Sequence, residues 1–324
     1  MRRPPVWIVI VTTVLMLSAA ACGRPSASQV VSATGASTDA VPSNVRSASP
    51  TPSPTVAPIA TPAPTPTMDP AEPAFATLDP ANFTNSTVID NVWMPYKPGT
   101  EWVVEGVLLE DGERIPHRIT FAITDLTKEI GGVRTVVAWI EDRRDGELVE
   151  KEIAFYAQDD DGTVWYLGEH PEEYEGGALV KAPTWIAGIA GAQAGIKMVA
   201  EPEVGMQTWY QGWAPAVDWS DYGRVDAIGL DDCVVIGCYT DVLRMAESSL
   251  GEEGTFQIKS YARGVGEIRV GWRGEAESRE ELELIEVRTL SPEALAGIRS
   301  AALELEAHAY EISLDVYALS EPSR

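Results

Sequence analysis

His117-Arg118-Ile119-Thr120-Phe121-Ala122-Ile123-Thr124-Asp125 alternates by twos, with Ile119, Phe121 and Ile123 on one face and Arg118, Thr120 and Thr124 on the other. A period of two belongs to a strand with one buried and one wet face. Runs of similar texture surround it at 102–109, 134–142, 150–158 and 163–168. Between them stand Asp111-Gly112, Gly131-Gly132, Asp145-Gly146 and Asp161-Gly162. These pairs reach the positive φ that tight hairpins demand, so this half of the chain predicts a β-meander. Strand-like runs return at 234–236, 239–246, 255–262, 267–272 and 281–289. In 267–272, Ile268, Val270 and Trp272 share a face opposite Glu267 and Arg269.

Between these two sets lies 176–223, rich in Gly, Ala and Trp and without a sustained period, which reads as a long irregular insertion. After the last strand, Ser291-Pro292-Glu293 supplies a hydroxyl cap, a proline at the first helical position and an acid in the first turn. Leu295, Ile298, Ala302, Leu305, Ala309, Ile312, Val316 and Leu319 then recur three and four apart. Such a stripe suits either docking on the protein's own sheet, which its alanines favour, or a helix-mediated dimer. The expected fold is mainly β (α+β): a curved antiparallel sheet or half-barrel, the irregular insertion, and a C-terminal amphipathic helix.

Upstream of the β domain the sequence addresses the protein. Arg2 and Arg3 precede an apolar run that ends in Leu17-Ser18-Ala19-Ala20-Ala21-Cys22. The run is shorter than the ~20 residues of a membrane span, and small residues before a cysteine are what a lipoprotein signal peptidase reads. Residues 1–21 are therefore expected to be a signal peptide and Cys22 the lipidated residue, with ordinary A-x-A-type cleavage as the alternative. Residues 22–79 are dominated by Ser, Thr, Ala and Pro and read as a disordered spacer. At ~3.1 Å per residue its proline-rich part, 50–73, reaches on the order of 75 Å. The β domain follows at 80–290 and the helix at 291–319. The expected location is the extracytoplasmic face of a cell membrane.

If Cys22 carries lipid, Cys233 and Cys238 remain as an even pair, bracketing Val-Val-Ile-Gly between strand-like runs. In an exported protein this spacing suggests a disulfide across a hairpin end. With 49 acidic and 24 basic residues the formal charge is −25, and loss of Arg2 and Arg3 makes it more negative. Such a surface repels phosphate backbones and anionic headgroups, which argues against nucleic acid and leaves the acyl anchor as the membrane contact.

Asp159-Asp160-Asp161-Gly162 lacks the alternation of a calcium loop and reads as a turn. No P-loop, G-x-S-x-G, H-E-x-x-H or G-x-G-x-x-G occurs, and no cofactor or metal is implied. The residues best suited to a ligand are Trp209, Tyr210, Trp213, Trp219 and Tyr222, with Trp185 upstream and Asp218 and Asp221 interleaved. Tryptophan faces beside carboxylates hold sugars or cations. The same rings can seal a Gly-rich excursion over a sheet, and packing is the favoured reading. A pair of acids for glycoside hydrolysis stays open as well.

Five stretches together resemble a group of uncharacterised exported bacterial proteins: 94–102 (MPYKPGTEW), 156–168 (YAQDDDGTVWYLG), 191–198 (GAQAGIKM), 235–244 (VIGCYTDVLR) and 261–266 (YARGVG). That group's sheet is similar in shape to the curved half-barrel of outer-membrane lipoprotein carriers. The chain departs from it at Ala194 and Ile236, where relatives carry proline. The resemblance brings no catalytic residues. It implies a concave apolar sheet able to hold a lipid or other hydrophobic ligand, in a non-enzymatic binding or structural lipoprotein. The alternative is a carbohydrate-binding or glycoside-hydrolysing surface protein that uses the aromatic segment.

Overall fold

The turns expected from Asp-Gly pairs are present, and the backbone explains their composition. φ is 51° and 80° at Asp111 and Gly112, and 48° and 81° at Asp145 and Gly146. With both central residues left-handed, the turn's twist matches that of the strands it joins. So β1 (Thr100–Glu110) folds back on β2 (Glu113–Ile130), and β3 (Val133–Arg144) on β4 (Glu147–Gln158). The up-and-down course continues through β5 (Val164–Glu175), β6 (Ala178–Lys181), β7 (Trp185–Ile186), β8 (Gln193–Met198) and β9 (Trp209–Ala214). It ends with β10 (Trp219–Val234), β11 (Gly237–Ser248), β12 (Phe256–Ala262), β13 (Gly266–Arg273) and β14 (Ser278–Thr289). This computed structural model describes residues 73–252, 254–276 and 278–324. The signal peptide, Cys22 and most of the linker lie outside the described residues.

All ladders between these strands are antiparallel, and β14 returns to β1 along its whole length, Thr100 opposite Thr289 and Glu110 opposite Ser278. With β4 paired to β5 and β5 to β8, the sheet closes as a 12-strand barrel from which β6 and β7 stand aside. The mainly β architecture and the single C-terminal helix match the sequence reading. The curvature, however, runs past a half-barrel to full closure. A half-barrel would leave β1 and β14 as two long edges of unpaired N–H and C=O groups, and closure removes both.

The stretch 176–223 is not an irregular excursion: it supplies β6 to β9 and the start of β10. Two of its glycines, Gly195 and Gly212, sit where a backbone or a ring approaches too closely for a side chain. A Cβ at Gly195 would fall 2.3 Å from the Gln211 carbonyl carbon, and one at Gly212 would fall 2.5 Å from the Trp219 ring. Strands this short, built around glycine, carry no readable period.

Two cores lie on opposite faces of the same wall. Val136, Ala138, Ile140, Ala154 and Tyr156 belong to the barrel interior, while Val137, Trp139, Ile153, Phe155 and Leu167 form an outer core. The outer core is covered by α1 (Pro292–Ile312), capped by the Ser291 hydroxyl, which accepts from the Ala294 N–H at 3.2 Å. Ala302, Leu305 and Ala309 pack on the wall, so the helix spends its apolar stripe on its own barrel. The stripe's far end does not follow, because the helix stops at Ser313 and the chain turns to bury Tyr317; Ile312 and Leu319 are exposed. Residues 73–79, read as linker, also pack on the barrel. Ala74 bridges to Trp209, and the Phe75 ring stacks on Tyr210 at 4.0 Å.

Elsewhere the outer wall carries ion pairs, Arg118 with Glu105, Arg269 with Glu283 at 2.6 Å and Arg143 with Glu141 at 2.7 Å. At the end of the β10–β11 hairpin, facing Cys233 and Cys238 form the expected disulfide.

One buried ion pair pins α1 to the barrel. Lys128 Nζ on β2 lies 3.1 Å from Glu306 Oε1 and 4.4 Å from the Tyr317 ring centroid, while Tyr317 Oη donates to the same carboxylate at 2.9 Å. Breaking such a pair strands a buried charge, at a cost of about 3–5 kcal/mol, whereas replacing both partners with apolar groups is often neutral. Glu306→Leu is therefore expected to lower the urea midpoint strongly, and Lys128→Met with Glu306→Leu to recover most of the loss. A single variant as stable as the parent would show that the pair does not hold the helix.

Candidate functional site

Alternation carries every second side chain of each ring strand into the barrel, and the lower half of that interior is aromatic. Trp102 on β1 faces Phe121 on β2, and Tyr156 on β4 faces Tyr166 on β5, the two tyrosine rings stacked at 4.8 Å. Tyr96, from the segment before β1, adds a ring 4.9 Å from Phe121 and 5.2 Å from Tyr156. That segment plugs one barrel end. Asn91 Nδ2 donates to the carbonyls of Gly162 and Val199, and Gln158 Oε1 accepts from the N–H groups of Asp90 and Asn91. Trp93 and Met94 are fully buried behind it.

Above the rings runs a polar band. Lys197 on β8 donates to Gln211 on β9 at 2.9 Å and approaches Glu247 on β11 at 3.3 Å, and Lys259 on β12 meets the same Glu247 at 3.0 Å. Burial alone would raise the Glu247 carboxyl, but the two ammoniums outweigh it and hold it down to about 2. Further round, His117 Nε2 lies 2.7 Å from Asp142, His117 Nδ1 lies 3.3 Å from Glu280 Oε1, and Gln257 donates to Glu280 Oε2 at 2.8 Å. Burial pushes Glu280 up to about 7. Glu150, Glu152 and Glu169 converge without a lysine among them, and burial carries all three well above the carboxylate range, helped next by repulsion from Asp142 at Glu150, from Glu150 at Glu152 and from Glu152 at Glu169.

Between the rings and this band lies a cavity of about 140 Å³, lined by Tyr96, Trp102, Phe121, Tyr156, Tyr166 and Tyr261 together with Glu152, Lys197, Lys259, Glu267 and Glu280. It sits inside the barrel and not between sheet and helix, where the outer core is filled. Among the described residues no group of His, Cys, Asp and Glu is arranged to hold a metal ion. Asp159 Oδ1 accepts from the N–H groups of Asp161 and Thr163, and its Oδ2 from Trp165 Nε1, which commits this carboxylate to its turn.

The aromatic residues singled out from the sequence are brought together, though not around the cavity. Trp185 and Trp219 are buried and stacked at 4.7 Å, and both rings meet Tyr166 edge-on. Trp209 is buried with its Nε1 donating to the Ile196 carbonyl, Tyr210 lies under Phe75, and Trp213 and Tyr222 are half-buried. Asp218 is exposed in a left-handed turn, and Asp221 is buried, accepts from Ser249 at 2.8 Å and is pushed up to about 7 by burial. Trp185, Trp209 and Trp219 belong to the same interior core as Tyr156 and Tyr166, and none of the eight residues lines the cavity. The lining residues that sequence reasoning missed had one signal, Glu150-Lys151-Glu152-Ile153-Ala154-Phe155-Tyr156, whose acids alternate with residues of opposite face.

Fold and site together define a closed up-and-down β-barrel with a ligand-sized interior cavity. Two solved structures are similar in part to this chain: a candidate exported protein with a YmcC-like fold from Bacteroides fragilis NCTC 9343 and a candidate lipoprotein from Parabacteroides distasonis ATCC 8503. Each is 11% identical and covers 61% of this chain and 99% of its own, with TM-scores of 0.37 and 0.33. No protein-family model and no curated protein matches the chain.

The buried acids set a pH dependence. Between about pH 4 and 7 the folded chain keeps protons on Glu280 and Asp221 that the unfolded chain releases, so stability falls as pH rises through that range. His117 acts in the same direction: burial opposes its charge, but Asp142 and Glu280 outweigh it. His170, lowered by burial, works the other way. Below about pH 4 the sign reverses. Asp226, held down to about 2 by Arg273, and Glu247 then take protons in the unfolded chain first. The melting temperature is expected to peak near pH 4–5 and to be lower at pH 8, with Glu280→Gln flattening the upper limb. A maximum at or above pH 7 would contradict this assignment.

Proposed function

We propose that the chain is a lipid-anchored, extracytoplasmic binding protein, without catalytic chemistry of its own, whose barrel holds a small hydrophobic ligand. The observation that carries this reading is the aromatic-floored cavity of about 140 Å³ inside a closed barrel. Apolar protein cavities of comparable size, about 150 Å³, take up benzene. The run ending in Cys22 and the proline-rich spacer supply the anchor and tether in this reading. A plugged end and a continuous wall would shield the ligand from water.

Native mass spectrometry of the chain isolated from its own host is expected to show a bound molecule of roughly benzene to indole size, released on unfolding. Val104→Phe, which fills the cavity from its wall, is expected to abolish that species while the protein stays folded. Apoprotein alone, or a ligand that persists in the filled variant, would overturn the reading.

A further inference from the structure

The polar groups on the cavity wall are unequally partnered. Lys259 Nζ lies 3.0 Å from Glu247 Oε2 and 3.9 Å from Glu267 Oε2, and Lys197 Nζ lies between Gln211 and Glu247 at 2.9 and 3.3 Å. Both ammoniums are neutralised from within the protein. Glu152, 1% exposed, faces the cavity from β4, and its Oε2 accepts no hydrogen bond. Its surroundings are the carboxyls of Glu150 and Glu169, with the Tyr166 hydroxyl 3.3 Å from Oε1. Beside it the stacked rings of Tyr156 and Tyr166 share the same wall.

A buried acid with no cation of its own, next to aromatic rings on a cavity wall, is complementary to a positive charge. The carboxylate supplies Coulomb attraction and a hydrogen-bond acceptor, and the tyrosines supply polarisable aromatic wall beside it. We propose that the molecule held in the cavity carries an organic ammonium group, with Glu152 as its counter-ion and the Tyr156 and Tyr166 rings as the aromatic wall beside it. This rests on the cavity reading above and adds the charge of the ligand. An anion would meet the Glu150, Glu152 and Glu169 cluster and two lysines already engaged. A neutral ligand would leave Glu152 dependent on a proton, the state that burial and its acidic neighbours favour while the cavity is empty of charge.

Three probes of one size separate these cases: benzylamine, benzyl alcohol and benzoate, titrated by calorimetry into the full chain kept soluble by Cys22→Ser. Benzylamine is expected to bind at least about tenfold tighter than benzyl alcohol, with benzoate weakest. Glu152→Gln is expected to erase the amine's advantage and leave benzyl alcohol unchanged; if that variant does not fold, Tyr156→Leu is expected to weaken benzylamine selectively. Benzyl alcohol binding as tightly as benzylamine overturns the charge assignment while the cavity reading stands. Tightest binding by benzoate overturns it likewise. Failure of all three probes overturns both readings, and an amine preference that survives Glu152→Gln removes Glu152 from its role.

Discussion

The pairing of the first barrel strand with the last is the constraint on which the rest of the structure depends. β1 and β14 stand at opposite ends of the β domain in sequence, yet Thr100 must meet Thr289 and Glu110 must meet Ser278 for the ring to close. Closure removes both sheet edges and creates an interior walled off around its whole circumference. It also makes the topology non-local at its final step, since the loop-closure entropy of almost the whole domain is paid before this ladder returns any hydrogen bonds. The eleven other strand pairs around the ring, each short in sequence, prepare the ends to meet.

An interior of this kind is a demanding place for charge, and this one holds a good deal. The Lys197, Glu247 and Lys259 network is fully partnered, whereas Glu152 and its acidic neighbours are not. Apolar side chains in the same positions would generally fold as well or better. A barrel that keeps buried acids beside an unfilled cavity has given up core stability at that level, as proteins commonly do at sites of function.

The outer wall is governed by the opposite need. β3, β4 and β5 are apolar on both faces, so a second layer is required outside the barrel. α1 and the segment ahead of β1 provide it, and the chain end is tied back as well: Arg324 and Thr127 exchange backbone hydrogen bonds at 2.8 and 3.0 Å. The buried Lys128–Glu306 pair fixes where the helix lies rather than adding greatly to its affinity for the wall. Because both faces of these strands are buried, the sequence of Ile153-Ala154-Phe155-Tyr156 does not reveal which side is the interior.

That ambiguity divides what was legible from what was not. Strands with a wet face, such as 117–125, and turns with Asp-Gly at positive φ were readable because local backbone chemistry and a period of two determine them. The helix cap at Ser291 and the Cys233–Cys238 bridge were readable for the same reason, each being settled within a few residues. Closure, the strands of 176–223 and the cavity were not, since each depends on groups far apart in sequence. Gly195 and Gly212 mean close approach only once Gln211 and Trp219 are in place. By itself the sequence determined an antiparallel meander followed by an amphipathic helix and pointed to its tryptophans. Only the tertiary structure decided that those tryptophans stand away from the cavity and that Glu152, Tyr156 and Lys259 line it, because strand alternation assigns faces but only ring closure decides which face is inside.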